Sequence, residues 1–426
     1  MDIARVMSGL HERLRANQGP TGTWGYHGDQ DSLEATCFAI VVAQVAICTL
    51  LLVGAALLVR TLDEMRSMEA GFDRDQIVTF TIDPRMRGYQ SEQALRLAQG
   101  LQDRSRSLPS VAAASIASRA LMRGTGMKGT FAPAGEPISG ADFLNCSINV
   151  VTPGYFETVG MRLITGRDFT RFDKDEEKPR KVIVNQALVR RFFPNEDPID
   201  RLLGIGTPDS VAAPSMEIIG VVSDAKYRSL REEIHPAVYN PFVREFEYGF
   251  VLHLRTHQHP EAVIEPVRNI LRSLDPELPF VEVHTLRHEV EASLWQERLL
   301  AALSSIFGAI AVLLASIGLY GALDYAVKAR TREIGVRAAL GAEPARIVRL
   351  LGGETLLLVG AGIALGLAAH AAAAAWLRQV LYDVQPSNPF AIGSALLLVV
   401  VAAGLAMLPP VLRAVRIDPA SALRQE

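Results

Sequence analysis

Two groups of residues in this 426-residue chain have types and spacing that could do chemistry. The histidines cluster as His253, His257 and His259, and again as His284 and His288, four residues apart. Imidazoles so spaced bind transition metals when a Cys or carboxylate completes the ligand set. No recognisable set is completed here, so these histidines read as solvated or packing residues. The second group is the connector Arg330-Thr331-Arg332-Glu333-Ile334-Gly335-Val336-Arg337-Ala338-Ala339-Leu340-Gly341-Ala342, a basic, amphipathic segment between two long uncharged stretches. Within it, Glu333 and Arg337 stand i, i+4, a favourable helical ion pair. Arginines beside a membrane mark its cytoplasmic side, so the connector offers a cytoplasmic partner something to hold. No Gly-Lys dipeptide occurs, hence no Walker A loop that could hold ATP, and neither Gly-x-Ser-x-Gly nor His-Glu-x-x-His is present. The chain therefore reads as a non-enzyme with no metal or cofactor of its own.

The elements that must position the connector are membrane helices. Of all residues, 49% are hydrophobic, and they concentrate in charge-free runs at 35–59, 299–323, 355–377 and 386–412. Each covers the roughly 20 residues a helix needs to cross a bilayer. The first starts too late and is too long for a cleaved signal peptide and reads as a signal anchor. The segment 324–354 carries Lys328, Arg330, Arg332, Arg337, Arg346 and Arg349, and the tail 413–426 adds Arg413, Arg416 and Arg424. Both belong inside. Four crossings then place residues 1–34 inside too, and 60–298 outside. A net charge of −3 gives no reason to expect a nucleic-acid partner.

The outer segment carries only Cys146, so no internal disulfide can brace it and a packed core must. Ile77–Ile82 alternates as a strand, Ser91 caps a helix with Leu97, Leu101 and Leu108 on one stripe, and Val111–Ser118 is a second strand. The triplet recurs downstream. Tyr248, Phe250, Leu252 and Leu254 alternate, Pro260 opens a helix to about Leu274, and Phe280–His284 is a strand. Two βαβ halves suggest a split ferredoxin-like sheet. Between them, about 119–247, lies an insertion that begins Gly-rich (Gly124, Gly126, Gly129). Its predicted strands are Leu144–Val150, Val182–Val184 and Ile218–Val222, with a short helix Gln186–Phe193 ended by Pro194. Cys146 lies on the apolar face of the first of these strands.

Thr285 can cap a helix whose Leu286, Val290 and Leu294 share a face. No proline or paired glycine follows before Leu340, so one helix of roughly 80 Å is expected, running from the outer segment through the second span into the connector. Gly341 is placed to end it and Pro344 to start the next. Gly362 and Gly366 form a GxxxG in the third span, and Ser304 and Gly308 a small-xxx-small pair in the second, favouring close contacts within the chain or in a dimer. His370 is the only ionisable candidate within a span, which disfavours ion-coupled transport.

The connector resembles the cytoplasmic signature of FtsX-like, MacB-like ABC transporter permeases. Ile317-Gly318-Leu319-Tyr320-Gly321 and the tail Asp418-Pro419-Ala420-Ser421-Ala422-Leu423-Arg424 are similar to that family too. So are Thr152-Pro153-Gly154-Tyr155-Phe156, Gly166-Arg167-Asp168-Phe169, Phe192-Phe193-Pro194 and Ile218-Ile219-Gly220-Val221-Val222. The resemblance runs from about Ala35 to Arg424.

It implies an α+β membrane protein with four transmembrane helices, one plus three, and a large extracytoplasmic domain. That domain would be a split ferredoxin-like porter with an inserted sabre-like subdomain. It implies a bacterial cytoplasmic membrane location, a permease dimer and a cytoplasmic ABC ATPase as partner, with ATP bound on that separate subunit. ATP-driven closure would be relayed to the outer domain, a process called mechanotransmission, to export or extract an amphipathic substrate. Arg332, Glu333, Gly335, Arg337, Leu340 and Gly341 would meet the ATPase, with Pro344 setting the elbow. The alternatives within the family are a signalling role, activating an outer partner such as a cell-wall hydrolase, or a truncated half-permease. In MacB proper the ATPase precedes the first span on the same polypeptide. Here residues 1–34 resemble instead the linker between two tandem permease halves, so the chain looks like one half. It would pair with itself, with a separate permease, or with a first half.

Overall fold

The computed structural model describes residues 30–123, 127–138, 146–173, 179–207, 210–227, 229–242, 249–257, 259–329, 331, 344–380 and 388–415. The chain forms two compact units, a helical one of Met1–Glu64 with Glu297–Glu426 and a globular one of Met65–Gln296. The first helix is α1 (Gln30–Ser67). There follow β1 (Ile77–Ile82), α2 (Ser91–Arg106) and β2 (Val111–Ala117). The insertion comprises β3 (Met127–Gly129), β4 (Phe131–Pro133), β5 (Cys146–Val151), α3 (Tyr155–Val159), β6 (Leu163–Gly166), β7 (Arg180–Asn185), α4 (Gln186–Phe192), β8 (Leu202–Ile205), β9 (Ala213–Val222) and β10 (Ala237–Pro241). Then come β11 (Phe250–Thr256), α5 (Ile264–Leu274), β12 (Glu282–Thr285) and α6 (Leu286–Ser293). The remaining long helices are α7 (Trp295–Ala329), α8 (Pro344–Val380) and α9 (Pro389–Val415).

Strands β12-β1-β11-β2 lie side by side, every neighbouring pair antiparallel. With α2 and α5 as crossovers, this is the split ferredoxin-like arrangement that the repeated βαβ pattern predicts. The apolar stripe of α2 (Ala94, Leu97, Ala98, Leu101) and Val267 and Leu271 of α5 pack onto Val78, Phe80, Leu252 and Ile116. Ser91 is not the cap of α2 but its first residue. Gln90 precedes it, and its backbone N–H donates to Gln93 Oε1 at 3.2 Å, so the amide side chain three residues on satisfies the cap.

Both faces of β11 are buried, although its sequence alternates. Val251 and His253 lie under the sheet's second face, which is covered by Tyr155 and Phe156 of α3, a helix of the insertion. The insertion also continues the sheet itself. Ala117 pairs with Val151, and the order runs on β2-β5-β10-β7-β9-β8-β4, with β3 on β5 and β6 on β9. The second subdomain thus has its own core, around Val182, Leu188, Ile218 and Cys146, but shares one sheet with the first.

The single rod expected from Thr285 to Leu340 is divided. Thr285 does cap α6, its Oγ1 accepting from the His288 N–H at 3.2 Å. The helix ends at Ser293, and Leu294 departs from helical geometry (φ −99°, ψ 13°) before α7 begins. Leu294 is 2% exposed. Burying that side chain while Ser293 Oγ donates back to the Val290 carbonyl at 2.7 Å favours a turn over one more helical residue.

Among the described residues, four helices are long and apolar enough to cross a membrane: Thr36–Ser67, Trp295–Lys328, Thr355–Ala373 and Pro389–Ala414. The first is the hub. Val41, Val45, Cys48 and Val53 are buried, packed by Leu319, Val359, Val399 and Ala395 of the other three. The GxxxG works within the chain: a Cβ on Gly362 would lie 2.6 Å from Val45, and one on Gly366 2.6 Å from Thr49. Gly308 likewise sits against Leu52. Glycines here let helix backbones approach where any larger residue would hold them apart. By contrast Phe307, Leu313 and Ile317 of α7 stay more than half exposed, a surface suited to lipid.

Candidate functional site: the coupling connector and the joints of the globular unit

Arg332, Glu333, Gly335, Arg337, Leu340 and Gly341 lie outside the described residues. Pro344 is the first residue of α8, where its fixed φ and missing N–H suit a helix start. What is described is the approach to the connector. Val327 of α7 packs on Val411 and Ala414 of α9. Asp324 accepts from Lys328 Nζ at 2.8 Å and from Arg413 at 2.9 Å. Arg413 also donates to Tyr320 Oη at 3.0 Å and lies over its ring. The helix feeding the connector is therefore bonded at its end to the last span. In the sequence Arg413 marks only sidedness. The signal was present, since Asp324 and Arg413 are the first charges beyond the second and fourth apolar runs, but their pairing needed the packed helices.

The short motifs of the globular unit turn out to build joints. In Thr152-Pro153-Gly154-Tyr155-Phe156, Gly154 takes φ 81° and starts α3. Its N–H donates to Asp168 Oδ2 at 3.0 Å, and the Phe169 N–H to Asp168 Oδ1 at 2.7 Å. Burial pushes the Asp168 carboxyl up despite these bonds. Arg167 holds Asp173 through two bonds of 2.8 Å, and this guanidinium drives Asp173 well below the usual carboxylate range. Gly220 lies at the middle of this joint, because a Cβ there would meet the Arg167 carbonyl at 2.5 Å. Tyr155 and Phe156 then bridge the two halves of the sheet, Tyr155 edge-on to His253 at 5.4 Å and Phe156 edge-on to Tyr239 at 4.9 Å.

The titratable groups fit a structural role. His253 is fully buried, and burial lowers its pKa to about 4. Its Nδ1 lies 3.2 Å from the Val251 carbonyl, while Nε2 has no hydrogen-bond partner. His284 and His288 stack, with ring centroids 5.0 Å apart. Among the described residues no three His, Cys, Asp or Glu side chains are placed to hold a metal ion. Cys146 is buried and its thiol pushed up to about 12, so it is unreactive.

Charged clips fasten the ends of the unit. Arg255 of β11 donates to the Thr158 carbonyl at 3.0 Å and pairs with Asp73 at 3.3 Å, tying the segment after α1 to α3. Arg123 pairs with Glu289 of α6 at 2.8 Å and with Glu282 of β12. None of these pairs is legible in the sequence, because partners so far apart along the chain leave no spacing signal.

Residues 35–270 match the family model of the MacB-like periplasmic core domain, and residues 305–419 that of the FtsX-like permease C-terminal region. This chain belongs to the MacB-like, FtsX-like family of ABC transporter permeases. It is 26% identical over 298 residues to the macrolide export ATP-binding/permease protein MacB of Hahella chejuensis, covering 66% of this chain and 43% of that protein. It is 26% identical over 301 residues to the uncharacterized ABC transporter permease YknZ of Bacillus subtilis, covering 66% and 70%. The chain thus spans less than half the length of the relative named MacB. Among solved structures, the periplasmic region of MacB from Actinobacillus actinomycetemcomitans aligns with a TM-score of 0.35 at 16% identity, covering 52% of this chain and 94% of that one. The family models describe permease regions of ABC transporters, and several relatives are named as export ATP-binding/permease proteins.

Proposed function

We propose that this permease relays ATP hydrolysis, carried out on a separate cytoplasmic ATPase subunit, to movement of its globular unit outside the bacterial cytoplasmic membrane. The result would be export or extraction of an amphipathic substrate. One observation carries the reading: the FtsX-like match, residues 305–419, contains the whole basic connector, which joins two membrane-length helices. Arg332, Glu333, Gly335, Arg337, Leu340 and Gly341 would form the ATPase-binding face, and Pro344 would direct α8 away from it. Lys and Arg on this connector and on the tail favour a cytoplasmic position for both termini. The bond from Asp324 to Arg413 would make a push on the connector a push on two spans at once. A second permease copy or half would complete the dimer. Relatives named for export of macrolides, pyoverdine and syringafactin support an amphipathic cargo.

The test is extraction from native membranes in mild detergent, with mass spectrometry of what co-purifies and an ATPase assay in nanodiscs. An ATPase subunit at comparable amount, stimulated by the permease, is expected. Recovery of the chain without any ATPase, from membranes where that ATPase is expressed, would contradict the reading.

A further inference from the structure

The insertion is entered through Leu121, Met122 and Arg123. Leu121 and Met122 are buried, and Met122 sits at φ 63°, a left-handed conformation that a non-glycine residue adopts only when its surroundings impose it. Its N–H donates to the Tyr227 carbonyl at 2.8 Å, in the segment that follows β9. The next residue, Arg123, is aimed at α6 and β12. Its guanidinium forms an ion pair with Glu289, a carboxylate only 7% exposed at the side chain, at 2.8 Å, and pairs with Glu282 as well. Along the chain α6 leads directly into α7, the second membrane-length helix.

On the other connection, the segment after α1 grips the same part of the insertion. The Lys226 N–H donates to the Ala70 carbonyl at 2.9 Å and the Asp73 N–H to the Val159 carbonyl at 2.9 Å. Gly71 lies so close to Asp224 that a Cβ would come within 2.0 Å of its carbonyl oxygen. Arg287 of α6 pairs with Asp75 at 2.9 Å, linking the two connections to each other. The chain path alone would attach both membrane connections only to β1 and β12. These bonds attach them to the insertion.

We infer that Arg123 is the positioning residue through which displacement of α6 reaches the insertion. The inference rests on the proposed function for the source of the displacement, but not for the linkage itself. Arg123 suits the role because two nitrogens of one planar, permanently charged guanidinium face carboxylates on two adjacent elements, so a single side chain holds both. Glu289 makes the linkage obligatory, since a buried carboxylate without its partner is costly.

The test uses the full chain in nanodiscs, with hydrogen exchange followed by mass spectrometry on peptides covering 113–123 and β9. In the first arm the chain is assembled with its ATPase, nucleotide-free or trapped with ADP and vanadate. The parent should show a nucleotide-dependent change in both peptides. Arg123→Gln should reduce it roughly fivefold or more while ATPase stimulation persists, and Arg123→Lys should restore part of it. The second arm needs no ATPase. Val290→Ala loosens α6, and exchange at 113–123 and β9 should rise in the parent background but not in Arg123→Gln. Should Arg123→Gln fold poorly, the pair Arg123→Gln with Glu289→Gln removes the stranded charge and is read in its place. An equal response in both backgrounds would reject the role of Arg123, as would a stimulated ATPase with no nucleotide response in the parent insertion. Absence of ATPase stimulation would count against the proposed function alone, and the second arm would still decide the linkage.

Discussion

Acid should loosen the globular unit through one buried imidazole. His253 is fully buried, with Thr79 and Ser115 opposite it on the neighbouring strands and the Tyr155 ring against it. The neutral ring donates from Nδ1 to the Val251 carbonyl, and Nε2 lies unbonded. Protonation would place a second N–H, and a charge, where no acceptor waits. The folded pKa is accordingly lowered from 6.5 to about 4. Because the folded state resists the proton and the unfolded state accepts it, stability is complete above pH 6.5 and falls as pH drops toward 4, levelling below that. At about 1.4 kcal/mol per unit, the loss across this window is roughly 3 kcal/mol, or about two orders of magnitude in the protection of the slowest amides. The measurement is hydrogen exchange of β1 and β11 peptides in the full chain from pH 7 to pH 4, corrected for the intrinsic rate. Carboxylates such as Asp173 also lose stabilisation near the acid end, so the comparison is with His253→Leu, which cannot titrate. The parent should lose protection that His253→Leu keeps. Parallel pH profiles for the two would refute the reasoning, because the imidazole would then carry no pH-dependent cost.

Three further outcomes are expected. Gly366→Leu should drive α8 off α1, since even a Cβ would lie 2.6 Å from Thr49, and should cost about 1–3 kcal/mol, seen as a lower midpoint in thermal unfolding in detergent. Gly71→Ala combines φ 84° with a clash against the Asp224 carbonyl and should cost at least about 1–3 kcal/mol, read as faster exchange around 70–75 and 223–227. Glu333→Ala together with Arg337→Ala should cost only about 0.2–0.5 kcal/mol of helix support, yet abolish stimulation of the ATPase; full stimulation by this pair would remove both residues from the contact.

The ferredoxin-like half was legible because β1, α2, β2 and their downstream counterparts each bury one periodic face, and period alone separates strand from helix. The spans were legible because charge is excluded from about 20 residues at a time. The division at Leu294 was not, since no proline or glycine marks it; the turn follows from burying Leu294, a tertiary demand on a helix-compatible residue. Nor was the burial of His253 legible. In an alternating strand it reads as the solvent face, and only α3, arriving from the insertion, covers it.

Composition and periodicity thus determined what each segment must be, a membrane helix, a strand or an amphipathic connector, because burial and backbone hydrogen bonding act over neighbouring residues. Which segments bond to which was decided by the tertiary structure. Arg123 with Glu289, Arg255 with Asp73, Asp324 with Arg413 and Gly366 with Thr49 are each single contacts between distant parts of the chain. Such pairs depend on how packed elements come to rest against each other, and a lone charge or a lone glycine looks the same in sequence whether or not its partner is there.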